Sequence, residues 1–182
     1  IPAPRNRTAH QMAFDTEWTR DREQENVTIN RIRQSVSTWR QGGYLGITHT
    51  SRRLLEYWKN PEREHKLFFC QIEALETAIF ISEVANKYGD GWIETTLKAA
   101  NQEANAELYR MAFKMATGSG KTLVMAMLIA WQTLNKLADR QDAHFSDSFL
   151  VVTPGITIRD RLRVLYPSDP NNYYRLHDLV PP

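Results

Sequence analysis

The sequence has a single cysteine, Cys70, among its 182 residues. One cysteine cannot form an internal disulfide, and it excludes zinc sites built from several cysteines, which is typical of a reducing compartment. Long hydrophobic runs are missing too, since no apolar stretch reaches the ~18 residues that a membrane helix requires. We therefore predict a cytoplasmic protein without a membrane span. The opening IPAPRNR has neither an initiator Met nor a signal-peptide profile, so we interpret the chain as part of a longer protein.

An excess of charge of one sign is also absent. The chain has 23 basic and 21 acidic residues, which leaves a net charge of only +2, so any site for a polyanion must be local. The five histidines show no H-x-x-x-H spacing, and no G-x-S-x-G elbow occurs. These absences disfavour a metal centre built on histidine and a nucleophilic hydrolase.

Apolar residues recur at three- and four-residue steps along much of the chain, which predicts amphipathic helices. We divide the chain into an N-terminal helical arm, residues 1–66, and a mixed region, residues 67–182. The predicted helices cover residues 16–40, 51–59, 67–88, 123–137 and 157–165, with helix plus connector over 92–107.

Two short segments of the mixed region are predicted to be strands. Residues 109–115 alternate apolar and other side chains, and residues 149–153 (FLVVT) contain no polar residue before Thr153, which is typical of a strand buried on both faces. The order strand, glycine loop, helix, buried strand is one βαβ unit. We therefore expect an α/β fold with a parallel sheet and flanking helices, left incomplete because only 60 residues follow Thr122.

The sharpest functional signal is the glycine loop MATGSGKT, residues 115–122. Glycines let the backbone fold into a nest of N–H groups that surrounds phosphate oxygens, and the helix that follows adds its positive amino end. In such a P-loop (Walker A motif) the lysine reaches the β- and γ-phosphates and the hydroxyl that follows binds Mg²⁺. We expect ATP and Mg²⁺ to be bound by Thr117, Gly118, Ser119, Gly120, Lys121 and Thr122, with Lys121 and Thr122 as the catalytic pair and Thr122 as the Mg²⁺ ligand.

Met115 stands where the full G-x-x-x-x-G-K-[ST] pattern has glycine, which disfavours small-molecule kinases and GTPases. The loop instead resembles motif I of superfamily 2 helicases of the DEAD/DEAH type. Three segments, FFCQIEALETAIF, FKMATGSGKTLVMAMLIAWQ and FLVVTPGITIRDRLRVL, resemble the Res subunit of type III restriction enzymes. This resemblance covers about residues 67–182, and it implies the first part of a RecA-like ATP-binding domain, truncated here and preceded by the arm.

The same resemblance implies roles for residues outside the loop. Gln71 is placed to hydrogen-bond the edge of adenine, because an amide both donates and accepts. Phe68 and Phe69 suit either stacking on a base or packing in the core, and we favour packing. Residues Thr153, Pro154 and Gly155 resemble motif Ia, which touches the nucleic-acid backbone. Arg159 is placed to meet DNA phosphates, with a solvated helix face after a structural turn as the alternative.

The resemblance implies an ATP-dependent helicase or translocase of a restriction–modification system, which couples hydrolysis of MgATP to movement along single- or double-stranded DNA, with a modification or nuclease subunit as a further partner. No apolar strand ends in D-E-x-[D/H], and no second nucleotide-binding domain is present to supply an arginine finger. We therefore expect hydrolysis in the parent protein and not in these residues alone. A non-motor nucleotide-binding switch or scaffold is the alternative, and a small-molecule P-loop kinase is less favoured.

Overall fold

The computed structural model describes residues 27–105 and 109–182, and the regular structure within these ranges is helical. The predicted lead-in and the first part of the predicted helix 16–40 lie outside the described residues. The elements are α1 (27–41), α2 (His49–Trp58), α3 (Phe69–Ile79) with a π-helical turn (Phe80–Val84), α4 (Gly91–Asn105), α5 (Lys121–Ala138), α6 (Ile156–Arg161) with a 3₁₀ turn (Leu162–Leu165), and α7 (Tyr173–Leu176). None of the helices in these two ranges is both long and apolar enough to cross a bilayer.

The expected α/β fold with a RecA-like parallel sheet is wrong, because the described ranges contain no strand. Neither of the two predicted strands, 109–115 and 149–153, is paired with another strand in the described ranges. The second segment is not buried on both faces, since Leu150 is 90% exposed and Val152 is 82% exposed. A strand is stabilised by ladder hydrogen bonds and cross-strand side-chain pairs, and both come from residues distant in the sequence. Apolar composition indicated the strand propensity of these segments but supplied no pairing partner.

The core lies where α5 packs against α2 and α3, and α7 also packs against α5. The residues that the sequence places on the inner face of α2 are buried as predicted, namely Leu54, Leu55 and Trp58. On α1, Val36 and Trp39 join the same cluster, whereas Ile29 is 48% exposed. The core is therefore continuous across position 66 and contains residues of both predicted parts of the chain.

A buried carboxylate in the π-helical turn links α5 to α2. Glu83 accepts hydrogen bonds from the Thr48 backbone N–H (2.7 Å), the Ser51 hydroxyl (2.5 Å) and the Trp131 indole N–H (3.0 Å). The Asn135 amide donates to the Ser51 hydroxyl at 3.0 Å and extends the network down α5. Since a buried carboxylate is tolerated only when donors replace its water, these contacts fix α2, the turn and α5 relative to one another.

A second buried carboxylate, Glu76 on α3, binds the end of α1 and the end of α2. It accepts from the Arg40 guanidinium (Nε to Oε2, 2.7 Å) and from the Tyr44 hydroxyl (2.5 Å), and Lys59 lies 3.2 Å from it. Burial lowers the pKa of Arg40, but its bonds to Glu76 and Glu73 outweigh burial and hold that pKa above its usual value. Burial and the bond to Glu76 both raise the pKa of the Tyr44 hydroxyl. Both groups therefore stay protonated, and the cluster stays intact, at neutral pH.

The last residues are held against α2 through their backbone carbonyls. Arg63 donates to the carbonyls of His177 (2.6 Å) and Asp178 (2.9 Å), and the Trp58 indole donates to the carbonyl of Leu179 (2.9 Å). Three consecutive carbonyls are thus satisfied by side chains from one end of α2 and the turn after it. We call residues 177–182 the C-terminal strap.

We predict that Glu83→Ala lowers the free energy of unfolding by about 2–4 kcal/mol, because it removes the acceptor of the Thr48 N–H and the Ser51 hydroxyl and one of the two acceptors of the Trp131 indole. Urea unfolding followed by circular dichroism measures this change. Glu103→Ala on the exposed face of α4 is the matched control and should change the value by less than about 0.5 kcal/mol. Equal stability of the two variants would contradict the role given to the network.

We predict that the free energy of unfolding depends on pH, because His177 of the C-terminal strap has a shifted pKa. Burial, and then the neighbouring His65 and Arg63, lower the pKa of His177. The unfolded chain therefore binds more protons at mildly acidic pH, so the free energy of unfolding falls as pH drops below the ordinary histidine pKa of about 6.5.

Replacing His177 with Gln should flatten this part of the pH dependence, since glutamine does not titrate. Unfolding curves of the wild type and the variant at about pH 5.5 and about pH 7.5, either side of the ordinary value, give the comparison. The same loss of stability in both proteins would show that His177 does not carry the effect.

Candidate phosphate-binding site

The glycine loop joins segment 109–115 to α5 through two left-handed residues. Gly118 has φ +79° and Gly120 has φ +77°, a region that residues with a side chain rarely adopt. Within the turn, both the backbone N–H and the hydroxyl of Ser119 donate to the carbonyl of Ala116, at 3.4 and 2.7 Å. The carbonyl of Gly120 then accepts from Leu123 at 2.9 Å, which begins α5. The predicted helix after the loop is confirmed, over Lys121–Ala138.

The loop leaves backbone N–H groups available for a ligand. Those of Gly118, Gly120, Lys121 and Thr122 have no hydrogen-bond acceptor in the part of the chain that the structure describes. Three of them belong to the start of α5, where the helix dipole places a partial positive charge. Free N–H groups at such an end form an anion site of the kind that holds phosphate.

Lys121 lies over this loop. Its ammonium donates to the carbonyls of Ala116 (2.9 Å) and Met115 (3.2 Å), and the side chain is exposed. Phosphate oxygens are stronger acceptors for an ammonium than neutral carbonyls are, so an incoming phosphate group can exchange with these two contacts. The pattern of the motif did not indicate these carbonyl partners, because they are backbone atoms that any residue would supply.

Thr122 is half-buried at the first turn of α5, and its hydroxyl has no hydrogen-bond partner in the described ranges. A free hydroxyl beside a phosphate nest suits an Mg²⁺ ion that phosphate and water also ligate. Over the same residues, no group of three or more His, Cys, Asp or Glu side chains is arranged to hold a metal ion. The residues present therefore fit Mg²⁺ that arrives with a triphosphate, and the hydroxyl is the protein ligand they offer.

Gln71 lies against the loop at the start of α3, and it is only 3% exposed. Its Nε2 donates to the carbonyl of Ser119 at 3.0 Å, and its Oε1 accepts from the backbone N–H of Phe68 at 2.8 Å. The structure therefore brings together Gln71 and the loop, which lie far apart in the sequence. Both ends of the amide are engaged within the chain, and selection of adenine by Gln71 stays a prediction.

The two phenylalanines before Gln71 do not pack in the core as favoured, since Phe68 is 60% exposed and Phe69 is 70% exposed. Phe69 borders a groove of about 490 Å³ between the end of α2 and the start of α3. Three basic residues also line this groove, namely Arg40, Lys59 and Lys66. Sequence reasoning missed the groove because its walls come from three separate segments.

The predicted nucleic-acid residues lie at the surface. Thr153 is half-buried, with its hydroxyl 3.3 Å from the carbonyl of Gly155, and Pro154 is exposed between them. The predicted helix after this turn is confirmed as α6 with its 3₁₀ extension, and it has no buried residue within Ile156–Arg161. Arg159 is exposed and pairs with Asp160 at 3.3 Å. No hydrogen bond in the described ranges joins these residues to the glycine loop.

Comparison with known families gives a match that spans both the loop and Gln71. The family model described as type III restriction enzyme, res subunit, matches residues 64–175, which is more than half of the chain. No curated protein and no solved structure matches. The family implies a helicase-like ATP-binding domain in an ATPase that interacts with DNA and with a modification subunit. With its glycine loop inside the matched segment, the chain belongs to the family of type III restriction enzyme res subunits.

Proposed function

We propose that the glycine loop binds the triphosphate of MgATP. The observation that carries this proposal is the group of four free N–H groups from Gly118 to Thr122, with the Lys121 ammonium beside them. A phosphate site needs several hydrogen-bond donors close together and no carboxylate that would occupy them. In the described residues, no acidic side chain hydrogen-bonds to this loop. ATP is the nucleotide that helicase-like domains of this family generally use.

Each residue of the loop has a distinct part in this proposal. The N–H groups of Gly118, Gly120 and Lys121 hold the β-phosphate, while the Lys121 ammonium offsets the charge of the β- and γ-phosphates. Ser119 and Thr117 complete the loop, and the Thr122 hydroxyl holds Mg²⁺. Bound Mg²⁺ neutralises charge that develops on the phosphate oxygens. Lys121 and Thr122 thereby serve the hydrolysis step as the charge-stabilising pair.

We further propose that the whole protein couples this hydrolysis to movement along DNA, in the cytoplasm and with a modification subunit as partner. A hydrolase of this class needs a group that positions water and an arginine that stabilises the transition state. We infer that other parts of the whole protein supply both, and that residues 67–182 supply the ATP-binding part. The helical segment before residue 67 is proposed to act as an accessory arm.

For DNA, we propose a backbone contact at the turn Thr153–Gly155 and at Arg159. The turn and α6 expose polar and basic groups next to each other, and among the described residues the guanidinium of Arg159 pairs with Asp160 alone, at the surface. A DNA phosphate can replace that carboxylate at little loss, since exposed ion pairs contribute little stability. Contacts of this kind read the charge of the backbone and not the base sequence.

Lys121→Ala should weaken binding of a non-hydrolysable ATP analogue with Mg²⁺ by about 10- to 100-fold, because a charge-assisted hydrogen bond to phosphate is lost. Isothermal titration calorimetry measures the affinity. Lys114→Ala, which removes an exposed lysine just before the loop, is the matched control and should leave the affinity unchanged. An equal affinity in all three proteins would disprove the phosphate site.

Arg159→Ala should weaken DNA binding by the whole protein to the same degree for every sequence. It should also reduce the slope of log affinity against log salt by about one, the value for one phosphate contact. Fluorescence anisotropy at several salt concentrations measures both quantities. Arg140→Ala, at another exposed arginine, is the control. If the slope of log affinity against log salt is the same in the two variants, Arg159 does not contact DNA and α6 has only a structural role.

A further inference from the structure

We propose that Gln71 is a positioning residue for the phosphate loop, and that it acts through the peptide bond between Ser119 and Gly120. This inference rests on the proposed function, because it assigns a residue that prepares the same site. It differs from recognition of adenine, since the group that Gln71 serves is the chain's own backbone.

The orientation of the Gln71 amide is set by its partners on both sides. A backbone N–H, that of Phe68, requires an acceptor, so Oε1 must lie on that side, at 2.8 Å. The carbonyl of Ser119 requires a donor, so Nε2 must lie on the other side, at 3.0 Å. Exchanging oxygen and nitrogen would break both bonds, which makes this assignment the one the contacts demand.

The bond to Ser119 determines where the next N–H group points. In a trans peptide the C=O and the N–H point in opposite directions. Because Gln71 holds the carbonyl of Ser119 on the α3 side, the N–H of Gly120 faces away from α3, where it has no acceptor in the described residues. Gln71 therefore keeps one donor of the nest turned towards an incoming phosphate.

The packing at Gly120 shows how closely Gln71 approaches the loop. A Cβ on Gly120 would overlap the Gln71 Nε2 atom, whereas a Cβ on Gly118 would meet no atom within 4 Å. Position 120 thus favours glycine for its left-handed φ, and a side chain there would also push the Gln71 amide away from its present position. With 3% of Gln71 exposed, the amide offers little open surface to a base.

Inorganic tripolyphosphate is the probe for this proposal, because it carries the phosphates of ATP and no base. Gln71→Met keeps a similar side-chain volume but cannot donate to Ser119. We expect it to weaken tripolyphosphate, ATP and GTP by the same factor of about 5- to 10-fold, the effect of one buried hydrogen bond. Calorimetry gives the three affinities, and Gln102→Met on the exposed part of α4 is the matched control.

Two results of this experiment separate the proposals. If the wild type fails to bind tripolyphosphate, the phosphate site itself is wrong, and this inference falls with it. If the wild type binds but Gln71→Met keeps full tripolyphosphate affinity, the phosphate site stands and the positioning role is wrong. Loss of the preference for ATP over GTP in that variant, with tripolyphosphate unaffected, would identify Gln71 as a reader of the base.

A measurement on the wild type keeps the proposal testable if Gln71→Met does not fold. In nitrogen-15 spectra, the side-chain amide of Gln71 should shift by the same amount with tripolyphosphate as with ATP, because its partner remains the loop. A shift seen with ATP and absent with tripolyphosphate would contradict the proposal, since it would place the base at the amide.

Discussion

The burial of α5 along one side, with its first turn left open, is the constraint on which the candidate site depends. Leu123, Val124, Ala126, Met127, Ala130 and Trp131 are buried, whereas Lys121 at the start of the helix is exposed. Because α2, α3 and α7 all pack against this helix, its amino end cannot shift without breaking the core. The free N–H groups of the loop therefore project from a rigid base, which lowers the loss of conformational entropy when an anion binds.

Buried charge reinforces this base at two points. Glu83 joins α5 to α2 with hydrogen bonds alone, and Glu76 joins α3 to the ends of α1 and α2 through Arg40 and Lys59. Gln71 lies on the same helix as Glu76, so the Ser119 carbonyl is hydrogen-bonded to a helix that is itself anchored in the core.

Local patterns in the sequence predicted the helices and the glycine loop, because helix periodicity and turn chemistry are properties of neighbouring residues. The inward residues of α2 and the extent of α5 follow from such patterns alone. The predicted sheet is wrong because segment 149–153 has the composition of a buried strand, and composition does not show whether distant backbone is there to pair with it. The contact of Gln71 with Ser119 also spans 48 residues. The resemblance to helicases implied that Gln71 bonds the edge of adenine and did not indicate its contact with the loop.

We propose above that free backbone N–H groups at the start of α5 bind phosphate, and the roles given to Lys121, Thr122 and Gln71 all depend on this. Titration of the nitrogen-15 labelled chain with Mg²⁺ and a non-hydrolysable ATP analogue tests it most directly, because each amide reports its own environment. We expect saturable shifts for Gly118, Gly120, Lys121 and Thr122, and small changes at the distant carboxyl end of α5. Shifts confined to the groove beside Phe69, with the loop amides unaffected, would contradict it.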